Sequence, residues 1–106
     1  MRDEKTIIHL KFQSTLHESE LYKIAEKRKE EFKKVRGLLS FIYHYNEETK
    51  TIGGTYIFEN IIFARAFIGR FMIEGVGPRY GIIPMSLKID IAQIKEELEF
   101  NFIHSN

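Results

Sequence analysis

The sequence predicts an α+β fold, with strands and helices in the order β-α-β-β-α-β forming one domain over residues 1–106. Three observations predict it. Leu38–Asn46 and Ile52–Phe58 are aromatic, β-branched runs joined by the polar stretch Glu47–Thr51, which reads as a β-hairpin. A helical pattern lies on each side of that hairpin. A stretch of alternating residues stands near each end, at Thr6–Phe12 and Met85–Ile91.

Each element has its own signal. In the first strand Ile8, Leu10 and Phe12 point one way and Ile7, His9 and Lys11 the other. The Ile8 side is predicted to meet helices. In the first helix Leu21, Ile24, Ala25, Phe32 and Val35 recur at helical spacing through about Arg36. Thr15 with Glu18 fits a capping box, Ser19 is a rival N-cap, and Gly37 is placed as the residue that ends the helix. The charge run Glu26–Lys34 reads as a solvated face with pairs at i,i+4.

Pairing across the hairpin loop sets Ser40 opposite Phe58, Ile42 opposite Tyr56 and His44 opposite Gly54, all on one face. Leu39, Phe41, Tyr43, Thr55 and Ile57 then share the face that meets the helices. Gly53 and Gly54 suggest a bulge, or a group lying close to the backbone. Asn60 is the N-cap candidate for a second helix of about 60–73, apolar enough to be buried on more than one side. Glycines and prolines break up 75–84 into a loop. After the last strand, Asp90 with Gln93 is placed to cap a short helix, Ala92–Glu99. The tail Phe100–Ile103 is apolar enough to dock on something, a partner included.

Composition narrows the function. Sixteen Lys and Arg against fifteen Asp and Glu leave a net charge of +1, which gives no field to draw in nucleic acid or an anionic membrane. RNA recognition modules share this topology, but the run Gly53–Phe58 lacks the basic residue that theirs carries. No cysteine is present, so there is neither a disulfide nor a thiolate site, in keeping with a cytoplasmic protein. The charged start Met1–Lys5 has no apolar run behind it, and no signal peptide is expected. The apolar run Ile61–Ile73, interrupted by Arg65 and Arg70, is too short to span a bilayer.

No strong catalytic motif appears. His9, His17, His44 and His104 are scattered, and two of them on one sheet face without a carboxylate make a poor metal site, so no metal is assigned. Gly75–Arg79 lacks the strand–turn–helix context of a phosphate-cradling loop. Ser40 and His44 share a face but stand roughly 13 Å apart along a strand, too far for a nucleophilic pair. What remains is a face carrying His9, Lys11, Ser40, Ile42, His44, Tyr56 and Phe58, too apolar to be bare, that pairs with a second copy or takes a flat apolar ligand.

The run Gly37-Leu38-Leu39, the strand after it, the polar turn, and Gly53-Gly54-Thr55-Tyr56-Ile57-Phe58 resemble the YdhR-type mono-oxygenases. So do the first strand, Thr6–Phe12, and the aromatic helix after Phe58. That family belongs to the dimeric α/β-barrel superfamily, with the antibiotic-biosynthesis mono-oxygenases, and the likeness spans about residues 6–95.

The resemblance implies a ferredoxin-like protomer, a homodimer with paired sheets, and oxidation of a small aromatic or polyketide-like compound without metal, flavin or other cofactor. His9 or His44 is then expected as base and Tyr56 as oxyanion donor. Lys11, Ile42, Phe58 and Phe67 are expected against the substrate. Phe67 stands where the haem-degrading relatives carry a pocket Trp, and His9 where they carry Asn; the chain has no Trp. A non-catalytic, dimeric small-molecule-binding or stress-related module is the alternative.

Overall fold

A computed structural model describes residues 4–75 and 79–100. Its elements are β1 (Thr6–Gln13), α1 (Glu18–Phe32), β2 (Leu38–Asn46), β3 (Thr51–Phe58), α2 (Ile61–Arg70) and β4 (Lys88–Gln93). A π turn, Phe71–Gly75, continues α2, and a short 3-10 turn, Pro84–Ser86, precedes β4. The four strands form one antiparallel sheet in the order β2-β3-β1-β4. With two helices, this is the predicted ferredoxin-like arrangement.

The core lies on the helix side of the sheet. Ile8, Leu10 and Phe12 of β1 and Ile52, Tyr56 and Phe58 of β3 are buried there with Leu21, Ala64, Phe67, Phe71 and Ile82. Aromatic rings run across it at centroid separations of 4.8 Å for Phe41–Tyr56, 4.8 Å for Tyr56–Phe67 and 5.5 Å for Phe58–Phe67. These are favourable aromatic contacts that add to simple area burial.

The hairpin register is one residue from the predicted one. Phe41 faces Tyr56, Ile42 faces Thr55, Tyr43 faces Gly54 and His44 faces Gly53. The reason is the turn. Asn46 and Thr51 close a four-residue loop in which Asn46 Oδ1 accepts from the amides of Glu48 and Thr49 at 3.0 Å each, and Lys50 adopts φ 60°. A slip of one residue exchanges the faces of a strand. The inward placement of Phe41 and Tyr43 is as expected, whereas Tyr56 and Phe58 turn to the helices and Thr55 and Ile57 to the open face. The irregularity in the ladder falls between Leu38 and Ser40, not at the glycines.

The helix ends also differ. His17 caps α1: its ring accepts from the Ser19 amide at 3.3 Å, and the Glu20 carboxylate accepts from the His17 amide at 3.0 Å. The surface pairs of α1 are spaced i,i+3, at Arg28–Glu31, Lys29–Glu26 and Lys33–Glu30. The helix stops at Phe32, and Gly37 instead leads the chain into β2. Its φ is +79°, the Phe63 ring lies 2.4 Å from where a Cβ would stand, and its carbonyl accepts from the Glu59 amide at 2.8 Å. Only glycine meets both the conformation and the space.

Among the described residues no helix follows β4. Ala92 and Gln93 pair with Ile7 and Thr6, and the Ile94 amide donates to the Lys5 carbonyl at 2.7 Å, so the sheet satisfies the backbone that a helix would have used. Residues 94–99 lie beside Glu4 and Lys5, joined by Lys5–Glu97 and Lys95–Glu4 ion pairs. Val76–Pro78, and Asn101–Ile103 and His104 in the tail, lie outside the described residues. Among the described residues no helix is long and apolar enough to cross a membrane.

Candidate functional site

Between α1 and the sheet lies a small chamber built around Arg28. Leu21, Ala25, Arg28 and Phe32 follow the i, i+4, i+7, i+11 stripe of α1, so the guanidinium is carried inward with the apolar residues. The side chain is only 13% exposed. Its guanidinium lies 4.8 Å from the Phe32 ring centre, a cation–π contact, and Nη1 donates to the Tyr80 hydroxyl. Glu31 Oε1 is 2.7 Å from Nε but off the direction of its N–H, so that buried donor has no acceptor. The Tyr43 hydroxyl, on the same chamber, is also buried without a partner.

Two unsatisfied buried donors in one place are unusual in a folded protein, because each forfeits its hydration without a replacement. Three phenols line the chamber, Tyr43 itself with Tyr56 and Tyr80. Burial pushes the Tyr56 hydroxyl far above its ordinary value; Tyr80 adds to the shift and the Arg28 charge opposes it. Burial also raises Tyr80, against the Arg28 charge, and raises Tyr43, with Glu18 adding to it. All three are therefore neutral donors near pH 7. Gly54 completes the wall, since a Cβ there would stand 2.9 Å from the Tyr56 ring and 3.2 Å from Phe41.

The space open to a water-sized sphere in the chamber is about 40 Å³. That holds water, whereas ligand pockets run to several hundred Å³. The wall most easily moved is α1, whose single fully buried residue is Leu21.

The open face of the sheet holds a second, polar constellation. Thr55 Oγ1 lies 3.1 Å from His9 Nδ1 and 3.4 Å from His44 Nε2. A hydroxyl donates one proton, so at least one imidazole is the donor in this chain of contacts. The strand register gives a row Asp90, His9, Thr55, Ile42, and beside it Lys88, Lys11, Gly53, His44. The His44 ring lies on the bare backbone of Gly53, where a Cβ would come within 1.9 Å of it. No group of three or more His, Cys, Asp or Glu among the described residues is arranged to hold a metal.

The predicted site residues thus divide. His9, His44, Lys11 and Ile42 share the open face, and the two histidines do converge, on Thr55. Tyr56, Phe58 and Phe67 lie on the other side of the sheet in the core. The sheet stands between the imidazoles and Tyr56, so they cannot serve one substrate as base and oxyanion donor. Sequence reasoning missed Arg28, Tyr43 and Tyr80. For Arg28 the signal was present in its spacing from Leu21, hidden by the charge run around it.

The fold and this chamber define a small ferredoxin-like α+β protein with a buried cation among phenols. No family model matches the chain, and neither does any curated protein.

Proposed function

We propose that the chain takes a small, flat phenolic or enolic compound into the Arg28 chamber as its anion, with α1 moving off the sheet to enlarge the 40 Å³ space, and oxidises it with dioxygen. The observation that carries this reading is the Tyr43 hydroxyl, buried without a partner, on the same aromatic chamber as the Arg28 guanidinium, whose Nε is ion-paired with Glu31 but has no aligned hydrogen-bond acceptor. An anionic oxygen in the chamber accepts from such donors, and charge-assisted hydrogen bonds are the strong ones. The cation lowers the substrate's own pKa, so its proton leaves to solvent, and neutral Tyr56 and Tyr80 are on the chamber wall as donors rather than bases. The YdhR-type resemblance supports the oxidative half.

In the balanced step a ring methylene becomes a ketone: R–CH₂–R′ + O₂ → R–CO–R′ + H₂O. The C–H bonds are lost, the substrate carbon supplies all four electrons, one oxygen atom is bound to carbon and the other leaves as water. The reading places the protein in the cytoplasm, as a homodimer paired through the open faces of two sheets. Leu39 and Ile42, about half exposed, would be covered there.

The test uses an anthrone-type compound in a thermal-shift assay and an oxygen electrode. A rise in melting temperature with oxygen uptake above the uncatalysed rate is expected. Arg28→Met is expected to weaken binding at least tenfold. Tyr43→Phe is expected to stabilise the ligand-free protein by about 1 kcal/mol while weakening binding, because it deletes a buried hydroxyl that only the ligand satisfies. Binding without oxygen uptake would leave the non-catalytic module. No binding, or binding indifferent to both substitutions, would remove the chamber as the site.

A further inference from the structure

A second concavity, sharing only Arg28 and Phe71 with the chamber, lies between the C-terminal half of α1 and α2. It measures about 620 Å³, within the range of small-ligand sites. Val35, Phe63, Ala66 and Phe67 give it an apolar lining, and Ile62, 72% exposed, stands at its edge. The second helix is apolar on more sides than the protomer covers: only Ala64 and Phe67 of its residues are buried. This groove is where the uncovered side faces.

Its charge is one-sided. Arg28, Lys34, Arg36, Arg70 and Arg79 line it against two carboxylates, Glu31 and Glu74, an excess of three positive charges. The whole chain carries only +1, so the cations are concentrated at this groove. Glu31 is already taken up by Arg28 and by Arg79, the latter at 3.5 Å. Among the described residues, none of the carboxylates lies within 4.0 Å of Lys34, Arg36 or Arg70. Arg36 is held over the groove lining, 5.7 Å from the Phe63 ring centre.

An apolar trough rimmed by unpaired arginines matches a ligand with an apolar body and a single anionic head. We infer that the groove between α1 and α2 is a binding site for a small anionic amphiphile, a single-chain carboxylate. Its head would lie against Arg36 and Arg70 and its chain along Phe63 and Phe67. The volume fits such a molecule, and charge complementarity selects it over a neutral or cationic one of the same length.

Three single-chain probes of nearly equal chain length that differ in the head decide it: decanoate, decanol and decyltrimethylammonium, each titrated calorimetrically into the full chain below its micelle concentration. Saturable one-to-one binding of decanoate is expected, at least tenfold tighter than either of the others. The double variant Arg36→Glu/Arg70→Glu, at exposed positions, is expected to lose at least tenfold in decanoate affinity, and Arg36→Lys/Arg70→Lys to keep most of it. Equal binding of the three heads, or decanoate binding unchanged by charge reversal, would overturn the site. So would failure of decanoate beside tight binding of an acidic amphipathic peptide, which would make the groove a protein-docking surface.

Discussion

Tyr56 shows how one residue's place sets its chemistry. Its hydroxyl is on the helix side, where burial favours the neutral form and raises the pKa well above the ordinary value of about 10. The folded chain therefore holds this proton to higher pH than the unfolded chain does. Stability from this group is complete below about pH 10 and falls as pH rises above it, because the unfolded state then binds fewer protons. Denaturant titrations between pH 8 and 12 are expected to show the alkaline loss, reduced in Tyr56→Phe. An equal alkaline slope in the variant would assign the loss to Tyr43 and Tyr80, whose hydroxyls burial raises as well. The residue type and the aromatic character of this site were legible in the sequence. Its side of the sheet was not, because that depended on one torsion: Lys50 at φ 60° closes a four-residue loop. Non-glycine residues adopt that conformation uncommonly, so nothing in the residue type announced it.

Among the elements, β1 was read correctly because its alternation is strict, with Ile8, Leu10 and Phe12 all buried. The second arm of the hairpin, β3, was harder, since Gly53 and Gly54 remove the side chains that would set its parity. The first helix was legible as a helix but not as a wall. Two exposed i,i+3 ion pairs, Lys29–Glu26 and Lys33–Glu30, decorate it, and such pairs contribute little. Its hold on the sheet rests on Leu21, with Phe32 partly buried. Leu21→Ala is expected to cost about 2–4 kcal/mol. Amide exchange in residues 18–32 is expected to accelerate more than in β1 and β3, the two central strands of the sheet. Uniform acceleration through all elements would mean that α1 opens only with global unfolding, and that the chamber lacks a local gate.

On the scale of the whole molecule, the element order and fold class were readable because pattern and loop length repeat the same message. Association was readable only in part. Ten large hydrophobic residues are exposed among the described residues, from Tyr22 to Phe100, with Leu39 and Ile42 on or beside the open sheet. A protomer of this size gains from covering such surface with a second copy. Sedimentation at micromolar concentration is expected to give a dimer, and Ile42→Glu a monomer with an intact fold. A monomeric parent chain would remove the paired-sheet proposal while leaving the chamber and the groove to their own tests.

The irregularity between Leu38 and Ser40 also bears on a hazard of this topology. The second strand lies at an edge of the sheet, and six of its nine residues are aliphatic or aromatic: Leu38, Leu39, Phe41, Ile42, Tyr43 and Tyr45. A straight edge of that composition is a template for fibril growth, each new chain adding its own strand to the last. The extra residue kinks the first third of the strand, so an incoming copy cannot lie flat along its full length. The same irregularity that looks like a flaw in the ladder thus works against edge-to-edge growth along this strand.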